Sequence, residues 1–329
     1  MVSWIRGSPL TELQNLDVAE KKSLSSNFAE PPVRQRHFLR DAFRFIRDFS
    51  RNRGALFGLV FLIVLSLSAV FANFLFPGNP NTPGPLLTQN PPNFQNPFGT
   101  DQLGRSMLML IIYGARTSLT IAFAAGFILA LLGTVVGLVA GYFGGVIDGA
   151  LMRIADIFLT LPTLPLILVI AALLGPSLLN IMLIIGITSW PFMARLVRSN
   201  VLSMTQREFI QIEKVMGAST LRIVFRHLFP NQFSLILVYT SLSLPLVILT
   251  EAAIEFLGLA PISISWGFLL NVSTSYWIAG AWWMSFFPGV AIFLTSLSFY
   301  LMSEGLKEVL TPTLKRKRDS LVVQLAERK

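Results

Sequence analysis

The stretch TSLTIAFAAGFILALLGTVVGLVAGYFGGVI, Thr117 to Ile147, is 31 residues long and contains no charged side chain. About 20 apolar residues in a helix span the roughly 30 Å hydrocarbon core of a bilayer. An unbroken apolar block of this length is a membrane signal, not the short-period pattern of a water-facing fold.

The same signal recurs on both sides. Gly54 to Thr100 is free of charge, and Gly54 to Phe76 provides a first span. Ile157 to Ala194 is too long for one helix and is interrupted by Gly175-Pro176-Ser177, so it divides into two. Ser234 to Gly258 and Phe286 to Ser303 supply the last two. The reading is an all-α membrane protein with six transmembrane helices at about 54–76, 117–141, 154–174, 178–197, 234–258 and 286–306. Around this domain, 54–309, lie an amino-terminal tail, 1–53, and a basic tail, 310–329.

Composition agrees: 53% of the 329 residues are hydrophobic and 13% charged, about half the charged share of a soluble domain. The absence of cysteine, with only His37 and His227, excludes a disulfide framework, a thiolate nucleophile and a Cys/His metal site. The net charge of +9 would suggest nucleic acid in a soluble protein. Here the cations flank the spans, which points to membrane orientation and to no nucleic-acid partner.

Six spans put both termini on one side. The amino-terminal tail holds ten Lys/Arg, the turn after span two holds Arg153, the loop from Arg195 to Gln232 holds six and the carboxyl end seven. The opposite face has Arg105 and Arg116 only, so the positive-inside rule places both termini in the cytoplasm of a cell (plasma or inner) membrane. Trp266, Trp277, Trp282 and Trp283 fall before span six, where indoles settle at headgroup level. No cleavable signal peptide is expected, since the first apolar block follows 53 mostly polar residues and continues as a full span. His37 to Arg53 alternates Phe and Ile with Arg at helical spacing and reads as an interfacial helix, either a docking element or a topology anchor. Asn79 to Pro97 reads as an irregular outer loop.

Two segments invite a functional reading. Gly133, Gly137, Gly141, Gly145 and Gly149 recur every fourth residue, a stripe for close approach of a helix of the same chain or of a second subunit. Ser199 to Gln232 is the longest polar excursion, and Phe209, Ile212, Val215 and Met216 share one helical face before Gly217. A second helix follows, with Ser219 as N-cap, Leu221, Val224, Phe225 and Leu228 as apolar face and Pro230 closing it. Exposed apolar residues on such a helix suit a groove on another protein; simple loop structure is the alternative.

Phe209-Ile-Gln-Ile-Glu-Lys-Val-Met-Gly-Ala-Ser219 and Phe225-Arg-His-Leu-Phe-Pro-Asn231 together resemble the coupling-loop signature of binding-protein-dependent ABC importer permeases. More narrowly, the chain resembles the dipeptide/oligopeptide/nickel permease family, second-subunit type. Supporting stretches are Asn96 to Arg105, Tyr113 to Leu119, Ala140 to Gly145, Ser189-Trp-Pro191, Ala194 to Arg198, Glu251-Ala252, Phe256 to Leu259, Ser265-Trp-Gly267 and Phe287-Pro-Gly289. The resemblance implies a type I importer core in which a cytoplasmic helix fits a cleft on an ATPase subunit. Phe209, Gln211, Ile212, Glu213, Val215, Met216, Gly217, Ala218 and Pro230 then form the coupling loop. Gln211 stands where the family usually has glutamate, and Ile212 and Glu213 where it has alanines. Glu213 lies about 200° around a helix from Gln211 and cannot replace that carboxylate. Ser106 stands where an aspartate is common.

Asp156, Glu251 and Glu255 come closest to membrane depth, where a carboxylate costs about 2.5 to 3.5 kcal/mol on insertion scales. Asp156 has Arg153 one turn away for pairing. Glu251 and Glu255 are candidates for the translocation path or outer gate, a role the resemblance suggests for Glu251; a proton relay is the rival reading.

The leading reading is the transmembrane subunit of an ATP-driven importer. No G-x-x-x-x-G-K-[ST] occurs, so ATP and Mg belong to separate chains and this one needs no cofactor. The resemblance implies two ATPase subunits, a homologous second permease and an extracytoplasmic substrate-binding protein. A proton-coupled carrier is the alternative, without internal repeats to favour it. An intramembrane hydrolase fails, because neither H-E-x-x-H nor G-x-S-x-G is present. Di- or oligopeptides lead as substrate on family breadth, with oligosaccharides or nickel complexes as alternatives.

Overall fold

A computed structural model of the chain describes residues 45–259 and 261–310. Contacts divide the chain into Met1–Arg47 and Asp48–Lys329, and the architecture described is that of the second unit. Residues 37–44 of the interfacial helix expected over 37–53, and all but residue 310 of the basic tail, lie outside the described residues, while residues 45–50 are helical.

The elements are helices: α1 Arg53–Val70, α2 Ala72–Leu75, α3 Met107–Phe143, α4 Gly145–Thr160, α5 Thr163–Leu174, α6 Leu178–Thr205, α7 Glu208–Val215, α8 Thr220–Ile223, α9 Phe229–Phe256, α10 Trp266–Thr274 and α11 Trp283–Leu310. Among the described residues five helical stretches are long and apolar enough to cross a membrane, and α4 with α5 makes a sixth if that bent pair counts as one span.

Span three departs from a single helix over 154–174. α4 and α5 meet at 93°. The cause is local: Pro162 forbids helical backbone at Leu161, which takes ψ 136°. Span two departs in the other direction. Its helix begins ten residues before Thr117 because Arg116 points outward and does not interrupt it. At 37 residues α3 is about 55 Å long and exceeds the bilayer core.

The helices meet through small residues, as close packing in lipid requires. A Cβ at Gly137 would stand 2.7 Å from both the Ala194 carbonyl and Val197, and one at Gly141 2.8 Å from Val201. A Cβ at Gly133 would strike Met193. The stripe is therefore a seam between α3 and α6 within one chain. It ends at Gly141, because the chain breaks at Gly144 and Gly145 opens α4 with φ +54° and open space around it, and Gly149 is open as well. α1 is held to α11 in the same manner: Gly58 abuts the Ser298 carbonyl, Gly305 abuts Ala55, and Asn52 Nδ2 donates to Glu308 Oε2 at 3.1 Å.

Asn52, Tyr142, Thr205 and Glu308 mark one end of the bundle, and Phe76, Met107 and Trp283 the other. At the second end the irregular segment before α3 is tightly folded. Asp101 and Arg105 form a buried ion pair at 2.6 Å, Asp101 Oδ1 accepts from the Leu103 and Arg105 amides, and Arg105 Nη1 donates to the Pro80 carbonyl at 2.8 Å. Trp283 Nε1 donates to the Thr100 carbonyl at 3.0 Å, and Trp266 Nε1 to that of Ile111 at 3.0 Å. Both indoles are buried, so only Trp277 and Trp282 keep the exposure expected of interfacial tryptophans. Ser106 precedes α3 without a side-chain cap bond.

Candidate functional site

At the first end of the bundle, α6 stops at Thr205 and α7 starts at Glu208. Gly217 ends the segment with φ +79°, a conformation glycine adopts without strain, and the Ala218 amide donates to the Glu213 carbonyl at 3.0 Å. Ser219 then caps α8, its Oγ accepting from the Arg222 amide. The second helix does not close at Pro230. A π-turn, Val224–Leu228, lets the Phe229 amide reach back five residues to the Val224 carbonyl, and the chain runs on into α9. The wider turn accommodates a proline that lacks an N–H and would clash in a regular ladder.

The polarity of α7 is inverted. Ile210 is fully buried, whereas Phe209, Ile212, Val215 and Met216 are 42, 57, 88 and 79% exposed. Leu221 and Phe225, expected on a packed face, are also exposed and extend this surface; Val224 and Leu228 of that face do pack, together with Ile223. Ala218 rests against the core.

Three polar side chains of α7 reach other parts of the chain, although Gln211 and Lys214 remain exposed and Glu213 is half-buried. Gln211 Nε2 donates to the Thr205 carbonyl at 2.7 Å, Glu213 Oε1 lies 3.3 Å from His227 Nε2, and Lys214 Nζ stands 5.3 Å above the Tyr142 ring. None of the three contacts was visible in the sequence, since each joins residues from separate helices.

The two acids lie near the opposite end, on α9. Glu251 and Glu255 are 0 and 1% exposed. Ser118 Oγ donates to Glu251 Oε1 at 2.9 Å, and the Ser265 hydroxyl bonds Glu255 while capping α10 at the Phe268 amide. They therefore tie α9 to α3 and to the start of α10. Gly267 permits this approach: a Cβ there would stand 2.7 Å from the Ala252 carbonyl. Glu251 Oε2 and Glu255 Oε1 have no hydrogen-bond partner. A cavity of about 410 Å³ lies elsewhere, between α6, α9 and α11, with Asn200, Tyr239 and Lys307 among its walls.

Asp156 pairs with Arg195 of α6, not with Arg153, and Arg198 grips Asp148 through two hydrogen bonds. Both pairs pin α4 against α6, a contact between helices that i,i+3 counting within α4 could not reveal.

Residues 133–316 match the family described as binding-protein-dependent transport system inner membrane component, and residues 38–98 match the N-terminal TM domain of oligopeptide transport permease C. The dipeptide transport system permease protein DppC of Bacillus subtilis (strain 168) is 38% identical over 274 residues, 82% of this chain and 85% of that protein. The oligopeptide transport system permease protein OppC of the same organism is 34% identical over 274 residues, 82% of this chain and 88% of that protein. Among solved structures, the inward-facing MetNI methionine ABC transporter covers 62% of this chain and 97% of its own at 22% identity and a TM-score of 0.47.

Proposed function

The chain belongs to the binding-protein-dependent family of membrane transport permeases, and from that premise we propose that it imports di- or oligopeptides. It is a permease subunit of an ABC importer, a transport component and not an enzyme. That these relatives are dipeptide and oligopeptide permeases supports the peptide reading over oligosaccharides or nickel complexes.

In the working assembly two ATPase subunits supply ATP and Mg, so that this chain carries no cofactor. A homologous permease completes the path, and an extracytoplasmic binding protein delivers the substrate. The chain lies in the cell membrane with both termini cytoplasmic, which the 24 Lys/Arg on that side support. The single observation that carries ATPase docking is the inverted helix α7, whose apolar side chains face solvent at one end of the bundle. Burying a side chain of that kind contributes about 1.5 to 3 kcal/mol, so an exposed cluster marks a surface that a partner covers. Glu251 and Glu255 form a closed latch of the translocation path, since they link α9 to α3 and α10.

Purification from native membranes in mild detergent, with mass spectrometry, tests this reading. ATPase and second-permease subunits should accompany the chain, and liposomes holding the complex and binding protein should accumulate a labelled dipeptide only with ATP. Recovery of the chain alone, active without ATP, would refute it.

A further inference from the structure

We infer that Gln211, Glu213 and Lys214 are positioning residues that fasten α7 to three different helices of their own chain and take no part in holding the ATPase. The inference rests on the importer reading above and adds to it a division of labour around one helix.

At about 100° per residue, Phe209, Ile212, Val215 and Met216 occupy roughly one third of the α7 circumference. Ile210, Gln211, Glu213 and Lys214 occupy the remaining arc. The first set is exposed. Ile210 is fully buried; Gln211 and Lys214, themselves exposed, reach the Thr205 carbonyl of α6 and the Tyr142 ring of α3, and half-buried Glu213 stands 3.3 Å from His227 Nε2 in the π-turn without a hydrogen bond. The Thr205 carbonyl is one of those at a helix end that lack a partner within the helix.

Gln211 is the informative member. Its amide is a donor to a carbonyl, and a glutamate, having only acceptors when ionised, cannot make that bond. A residue that departs from the family's usual glutamate is thus suited to a task within the chain. α7 held at three points moves as one body with α3, α6 and α9, so displacement of its outer face reaches the spans directly. The surface left for the ATPase is apolar apart from the exposed Glu208 at its start, and the groove that receives it needs no cation opposite residue 211.

Gln211→Glu and Gln211→Lys separate this from a direct ATPase contact, because the two readings predict opposite orders. In the full complex, Gln211→Glu should leave subunit recovery and ATP hydrolysis intact but lower peptide transported per ATP by about two- to tenfold, the equivalent of one hydrogen bond. Gln211→Lys retains a donor and should stay close to wild type. Gln211→Glu equal to or better than wild type, or Gln211→Lys worse than Gln211→Glu, would overturn the inference. Hydrogen exchange on the purified permease alone gives a second reading. Residues 206–218 should exchange faster in Gln211→Glu and not in Gln211→Lys; equal protection in both would also overturn it. If the importer reading itself failed, the wild-type chain would be recovered without ATPase, and the exchange measurement would still decide the role of Gln211.

Discussion

The α3–α6 seam and helix α7 are both built from short sequence patterns at helical spacing, yet one is finished and the other is not. Along the seam, Gly133, Gly137 and Gly141 give up their side chains so that Met193, Val197, Val201 and the Ala194 and Arg198 carbonyls can fill the space. Every vacancy is occupied within the chain. On α7 the relation is reversed: Ile212, Val215 and Met216, and Phe209 in part, project with little among the described residues to cover them. Glycine every fourth residue thus marks an interface already closed, and apolar residues on the free side of a helix pinned by its polar side mark one still open. In lipid the seam is held by close contact rather than by exclusion of water, whereas α7 sits where water makes apolar exposure costly.

Substitutions can strain this contrast from both sides. Gly137→Leu should have the largest effect, since the added atoms meet a backbone carbonyl that cannot move away. Overpacking costs about 1–3 kcal/mol where a core can adjust, and the expected outcome here is loss of folded protein in detergent, read by size-exclusion recovery. Val215→Asp should leave recovery and melting unchanged while reducing ATP-driven uptake and ATPase co-purification by at least about tenfold, given that one buried aliphatic side chain is worth 1.5 to 3 kcal/mol. Gly217→Ala tests the backbone: space around Gly217 is open but its φ is +79°. An alanine there costs about 1 to 2 kcal/mol of local strain and should lower uptake severalfold without affecting membrane insertion. Gly149→Ala should do least. Its site is open and helical, so the melting temperature should hold or rise by an amount corresponding to under about 1 kcal/mol. If Gly149→Ala proved as damaging as Gly137→Leu, the stripe would extend to a second subunit and the contrast would fail at that point.

Much of this was legible in the residues because charge-free blocks of sufficient length have few alternatives to spanning helices. The seam was legible as a stripe, but its end was not. Gly145 has the right spacing, and only its place at the start of α4, after the break at Gly144 and with φ +54°, removes it. The bend in span three was signalled by Pro162, whose effect on Leu161 is local and sequence-encoded. Helix starts were read less well. A lone arginine was given the weight of a boundary, yet Arg116 projects from the outside of α3 and interrupts nothing. Partner choice was the least legible property. Asp156 had Arg153 at ideal spacing and pairs with Arg195; Trp266 and Trp283 had interfacial chemistry and spend their N–H groups on buried carbonyls. In each instance the outcome depends on a helix remote in sequence. The same holds for the candidate site: the outward face of α7 followed from periodicity, while its three fastenings required Tyr142, Thr205 and His227 to be brought together by the fold.

The central claim is that the apolar face of α7 is covered by an ATPase in the working assembly. The natural chain has no cysteine, so a single Val215→Cys gives one labelling site. The decisive measurement is its rate of reaction with a maleimide in inside-out membrane vesicles, before and after the peripheral ATPases are stripped with urea. Slow labelling that becomes fast on stripping, and slow again when the ATPases are restored, is the predicted result. Labelling that is equally fast throughout would show this face uncovered in the assembly and would contradict the account.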